Sequence, residues 1–127
     1  MNEPVSSLMT RRVVTVGMDD SIAQVEELFD GKTLSWAPVV DDQRNVVGVI
    51  SATDLLQFHA QRRDPRDVPA WQLCTYKPIM ADEATPLVQV ARSMLDKRIH
   101  HVVVTSGAHI VGVVSSLDFV RAFVDRP

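Results

Sequence analysis

Apolar positions recur twice along the chain in the same order, switching between a helical period and the continuous runs of buried strands. Residues 13–16 make a short run rich in β-branched side chains. Ile22, Val25 and Phe29 then fall at helical spacing. The continuous apolar stretch at 37–40 predicts a buried strand, the polar stretch at 41–45 a turn, and residues 46–50 the returning arm of a hairpin. A second helix is expected over 52–62. The second half repeats this order with a poorer first strand at 78–81, then Leu87, Val90 and Met94 at helical spacing. A hairpin of 102–105 and 110–114 around the turn 106–109 follows, and a helix over 116–124 closes it. Asp20 and Thr85 are the N-cap candidates, with Ser21 and Pro86 at the first helical position.

The recurrence is a sequence repeat. Shifted by 65 positions, Leu8-Met9-Thr10 falls on Leu73-Cys74-Thr75, Gln24-Val25 on Gln89-Val90, and Val39 on Val104. One residue is lost in the hairpin turn, and the shift becomes 64. Val47-Gly48-Val49-Ile50-Ser51 then meets Val111-Gly112-Val113-Val114-Ser115, and Asp54 meets Asp118. The order β-α-β-β-α therefore occurs twice, and the fold class is α/β of the α+β kind. The expected division is repeat 1 at 5–62, a linker at 63–70 and repeat 2 at 71–124. Units of about 50 residues are too small for comfortable separate cores. They are expected to pack about a pseudo-twofold axis, with a cleft on that axis as the natural ligand site.

Composition narrows the function. Of 127 residues, 46% are hydrophobic, the net charge is −3 and there is one cysteine. No basic face suits a nucleic acid, because acids interrupt the densest basic stretch at 62–67. Cys74 has no partner for an internal disulfide or a cysteine-based zinc cluster, and reads as a small buried hydrophobe. His59 and His109 lack metal-ligand spacing and read as surface residues. Trp71 is expected to cover the core. No signal peptide is expected, and the residues given show no membrane span, nucleophile elbow or phosphate-binding loop. A cytoplasmic, non-enzymatic protein is expected, with no required cofactor.

Ser51 and Ser115 stand where a strand hands over to a helix, each followed three residues later by an acid. That spacing is a relaxed capping box, with the carboxylate near the positive helix end. A carboxylate placed there can also accept both hydroxyls of a ribose, and free helix N–H groups suit an anion.

Residues 5–16, Trp36-Ala37-Pro38-Val39-Val40-Asp41, and the two Gly-x-x-Ser-x-x-Asp stretches at 48–54 and 112–118 resemble a tandem pair of CBS domains, the Bateman regulatory module. The resemblance covers nearly the whole chain. It implies an adenosine-containing ligand (AMP, ADP, ATP or S-adenosylmethionine) in the clefts, with Asp54 and Asp118 on ribose. By the family pattern, Val14 and Val113 flank adenine at one site, and Ile79 and Val49 at the other. The stretch 97–104 is similar to one that meets phosphate in adenylate-sensing members, which carries that role to His100 first and His101 second. Ser35 and Trp36 hold those positions in repeat 1, so the clefts are unequal. The better site is expected at Asp118, with Ser115, Val113 and His100, and with Val14 and Ser35 from the opposite repeat. Ser51 and Thr53 accompany Asp54 at the weaker one. A homodimer through the helices starting near Ile22, Ala52, Leu87 and Ser116 is implied, together with a protein target. The alternative is a ligand-free interaction module acting through homodimerisation or partner docking.

Overall fold

The computed structural model describes residues 2–76 and 78–125. They form two compact units, residues 14–76 and 78 in one and residues 2–13 with 79–125 in the other. The first contains β1 (Val16–Gly17), α1 (Ile22–Lys32), β2 (Trp36–Val40), β3 (Val46–Ser51), α2 (Ala52–Ala60) and β4 (Thr75–Tyr76). Its sheet runs β1-β2-β3-β4, with β1 parallel to β2 and the remaining neighbours antiparallel. The second contains β5 (Met80–Asp82), α3 (Leu87–Lys97), β6 (His101–Ser106), β7 (His109–Ser115) and α4 (Ser116–Asp125), with sheet order β5-β6-β7.

In each unit the helices cover one sheet face, and β-branched residues from the central strand meet the helical stripe. Val16, Ile22, Val25, Val39, Ile50 and Phe58 anchor one core; Val5, Leu87, Val90, Val102, Val104 and Val114 anchor the other. All twelve are at most 2% exposed.

Both helix starts lie one residue later than expected. Ser21, not Asp20, is the N-cap of α1: its Oγ accepts from Gln24 N, and Gln24 Oε1 accepts from Ser21 N at 2.8 Å. Asp20 instead accepts from Gly17 N at 2.8 Å, closing the turn out of β1. In the second unit Pro86, not Thr85, takes the cap position and makes no side-chain cap bond. The first strands are also shifted. β1 begins where the 13–16 run ends, because parallel pairing with β2 is limited to Val16↔Val39 and Gly17↔Val40.

The segment that opens each repeat is built into the unit of the other repeat. Val68 and Glu3, equivalent by the 65-residue shift, give their carbonyls to the first helical amides Ile22 N (2.9 Å) and Leu87 N (2.8 Å). Thr75 in β4 pairs with Val49, and its equivalent Thr10 bridges Val113 in both directions at 2.8 and 3.0 Å. The crossing is tight. A Cβ on Gly48 would lie 2.6 Å from the Thr75 carbonyl oxygen, and one on Gly112 would lie 2.9 Å from that of Thr10. The glycines of the Gly-x-x-Ser-x-x-Asp stretches are thus required by close backbone approach.

Residues expected to be a plain linker belong to the first core. Val68 and Ala70 are 4% and 0% exposed. Trp71 is 39% exposed and lies outside the buried cluster, with its amide on the Met18 carbonyl at 3.0 Å.

Candidate functional site

β7 runs into α4 without a loop, so Ser115 is both the last strand residue and the residue that opens the helix. Its Oγ accepts from Asp118 N at 3.2 Å, and its own amide donates to Asp118 Oδ2 at 2.8 Å. The register His101↔Ser115 sets the start of β6 beside this turn, and Ser116 N donates to the His100 carbonyl at 2.9 Å. His100, His101, Ser115 and Asp118 therefore meet at one end of the sheet. His100 is exposed, while the other three are half-buried. Burial holds the His101 imidazole below its ordinary pKa, the adjacent His100 adds to that, and Asp118 pulls the other way.

The first unit repeats this arrangement around Asp54. Ser51 N donates to Asp54 Oδ2 at 2.8 Å and Asp54 N to Ser51 Oγ at 3.2 Å. The register Trp36↔Ser51 and the bond from Ala52 N to the Ser35 carbonyl at 2.9 Å complete the parallel. Here Ser35 and Trp36 stand where the histidines stand in the second unit. Thr53 is exposed and Asp54 half-buried.

One expectation narrows. The N-terminal amides of α2 and α4 do not all stand free for an anion: in each helix the first is taken by a backbone carbonyl and the third by the cap serine. The signal was not available from the sequence, because the carbonyls that consume Ala52 N and Ser116 N come from 17 and 16 residues upstream.

Of the apolar residues assigned to adenine, Val113 and Val49 are strand residues, whereas Val14 and Ile79 lie just before β1 and β5. Val113 pairs with Val103 on one side and Thr10 on the other, and Val49 with Pro38 and Thr75. Both are half-buried. Ile79 is in the unit of Asp118, where its carbonyl accepts from Val103 N at 3.3 Å. Val14 and Ser35 are in the unit of Asp54.

His59, on α2, lies 2.6 Å from Glu26 Oε2, and His109 opens β7. Cys74 is buried, and desolvation pushes its thiol up. Among the described residues, no group of three or more His, Cys, Asp or Glu side chains could hold a metal ion, and no helix is long and apolar enough to cross a membrane.

The repeat, the doubled capping box and the crossing glycines describe one module written twice, and the CBS domain family model matches both copies, over residues 5–60 and 68–125. The chain belongs to the CBS domain family. Uncharacterized protein MJ1225 of Methanocaldococcus jannaschii is 28% identical over 95% of this chain, which spans 43% of that protein. Two solved CBS structures carry adenosine compounds. CBSX2 in complex with AMP is 26% identical, with 96% of each chain covered and a TM-score of 0.83. The CBS domain pair of protein MJ0100, in complex with 5′-methylthioadenosine and S-adenosyl-L-methionine, is also 26% identical. That likeness covers 94% of this chain and 98% of that one, with a TM-score of 0.83.

Proposed function

We propose that this CBS pair is a ligand-sensing module that binds an adenosine-containing compound (AMP, ADP, ATP or S-adenosylmethionine) and signals to a partner protein. The observation that carries the reading is the Ser115–Asp118 pair. The capping box fixes the carboxylate through Oδ2 alone, beside an exposed imidazole and a half-buried strand valine. A carboxylate so held suits the two hydroxyls of a ribose, and His100 suits a phosphate. The adenosine compounds in CBSX2 and the MJ0100 pair support the ligand class. The Ser51–Asp54 pair supplies a second, weaker position, because Ser35 offers no cation. No catalytic step and no required cofactor belong to this reading. The signal is a population shift, bounded by the ligand's differential affinity for the two conformations.

Calorimetric titration with AMP, ATP and S-adenosylmethionine tests it. Removing a carboxylate that holds two hydroxyls costs about 2–4 kcal/mol. Asp118→Ala therefore weakens binding by well over tenfold in a protein that still melts cooperatively, and Asp54→Ala weakens it less. Wild-type affinity in folded Asp118→Ala, or no binding by the wild type, rejects the assignment. The second reading, a ligand-free module acting through protein contacts, draws on the exposed apolar side chains of α3 and α4.

A further inference from the structure

The start of α3 carries polar side chains whose counterparts on α1 are used by the fold itself. On α1, Ser21 and Gln24 close the capping box, and Asp20 accepts from Gly17 N at 2.8 Å. The repeat counterparts of Ser21, Gln24 and Asp20 are Pro86, Gln89 and Thr85. Pro86 has no N–H for Gln89 to accept from and makes no side-chain cap bond. Among the described residues, the side chains of Thr85, Gln89 and Ser93 form no hydrogen bond. Gln89 and Ser93, four residues apart, stack on one side of α3, with Thr85 just before its start.

These three residues border a pocket of about 200 Å³ between β5 and α3, with Asp82 at its rim and Ala81, Val90 and Val102 as its apolar walls. Differences between the repeats account for the space. Ala81 stands where the first unit has the fully buried Val16, and Ser93 stands where Leu28 packs on the core. Val102, in place of Ala37, returns part of that volume. The second unit thus gives up apolar bulk at the edge of its core, a loss that lowers stability wherever the space stays open. The first unit shows that the frame folds without this exchange. Of the residues assigned to adenosine, only Ile79 lines the pocket.

The lining selects the chemistry of an occupant. Asp82 is its one charged group, so an anion would meet a carboxylate with no cation to offset it. A cation would face the positive end of α3, whose first turns form one wall. Two hydroxyls and an amide each donate and accept, and Asp82 keeps Oδ1 for a ligand while Oδ2 accepts from Ala84 N at 2.9 Å. A chain of hydroxyls satisfies such a row, and its C–H edge suits the three apolar walls. The room equals roughly six or seven water volumes, the bulk of a four- or five-carbon polyol.

We propose that the pocket between β5 and α3 binds a small uncharged polyol. Neither Asp54 nor Asp118 lines it, so binding there holds with or without an adenosine ligand.

Amide NMR of the full chain, titrated with erythritol, is the test. Saturable shifts are expected in β5 and the first turns of α3, with a millimolar Kd. Asp82→Ala weakens binding about tenfold and Gln89→Ala about fivefold, as loss of a hydrogen bond to a charged and to a neutral group does. Ser93→Leu, which restores the residue of the first repeat, fills the pocket and abolishes the shifts without lowering Tm. Where Ser93→Leu does not melt cooperatively, Ala81→Val, a smaller filling on the strand side, takes its place and weakens binding. Butylammonium and succinate, of similar bulk but charged, bind more weakly than erythritol, and adenosine does not displace it. The absence of saturable shifts in the wild type overturns the proposal. So do shifts centred on Ser115 and Asp118, shifts that survive the filling variants, or tighter binding of butylammonium.

Discussion

The amide of Ser115 donates to Asp118 Oδ2 at 2.8 Å while the amide of Asp118 donates back to Ser115 Oγ at 3.2 Å. Ser51 and Asp54 make the same exchange at the same two distances. The two acids assigned to ribose are thus structural residues first. The cap satisfies helix amides, and in doing so fixes the direction of each carboxylate before any ligand arrives. Preorganisation of this kind lowers the ordering cost of binding.

The caps set a stability expectation. Ser115→Ala and Asp118→Ala should each cost about 1 kcal/mol, a fall of about 3–5 °C in Tm for a domain of this size. Ser51→Ala and Asp54→Ala should match them. Because the two bonds are reciprocal, the Ser115/Asp118 double variant should lose less than the sum of the singles. Chemical denaturation of the four singles and the double decides this; strict additivity would show that the exchange is not a coupled cap.

The glycine crossings set a larger one. At Gly48 an added Cβ meets the Thr75 carbonyl oxygen at 2.6 Å, and that backbone lies in paired β4. At Gly112 the nearest contact, also at 2.6 Å, is Met9 Sδ, which can swing aside, and the Thr10 carbonyl follows at 2.9 Å. Overpacking of this kind costs about 1–3 kcal/mol. Gly48→Ala should fall at the upper end and Gly112→Ala lower. Hydrogen exchange should speed at the amides of Thr10 and Val113 in Gly112→Ala. Equal and negligible losses in both variants would reject the close-approach reading.

These particulars show which parts of the molecule the sequence reveals. The four helices and both hairpins follow from apolar period and turn residues, because each is decided by contacts close in the chain. The Ser-x-x-Asp boxes are legible for the same reason: cap and acid are three residues apart. What hides is non-local. The cap of α1 is the local exception: Asp20 and Ser21 are both good caps by type, and the choice falls to Ser21 because Gln24, three residues on, answers it while Asp20 is taken by Gly17 N. Glu3, Val68, Thr10 and Thr75 carry no local mark of their pairings with helix starts and strands about 20 to 100 residues away. The loss of the Ala52 and Ser116 amides as anion donors is hidden in the same way.

Thr33 and Arg98, equivalent by the 65-residue shift, both close their helices in the left-handed region, at φ 54°. Side chains with a Cβ are disfavoured there by about 1–2 kcal/mol, and a β-branched residue most of all. Glycine relieves this at a smaller entropic cost to the unfolded chain. Thr33→Gly should therefore raise stability by about 0.5–1 kcal/mol, and Arg98→Gly by somewhat less. Urea midpoints at unchanged m-value would show it; destabilisation by Thr33→Gly would mean that its side chain contributes more than its strain.

The last expectation concerns pH. Burial and the adjacent His100 hold the His101 imidazole below the ordinary value of 6.5, with Asp118 opposing them. A folded pKa lower than the unfolded one means that, between the two, the unfolded chain binds more protons than the native one. Stability must then fall as pH drops through about 6.5, and the loss levels off once pH passes below the folded value, where both states are protonated. The sign is that of a histidine kept neutral by the fold. His101→Gln should flatten this part of the curve without altering stability near neutral pH by the same amount. Asp118→Asn removes the one attractive charge, so the fall should extend to lower pH, on top of whatever the weakened cap costs at every pH. Urea midpoints for the three proteins across the acid side of neutrality separate these effects. An identical acid slope in wild type and His101→Gln would show that His101 is not the group the fold holds neutral.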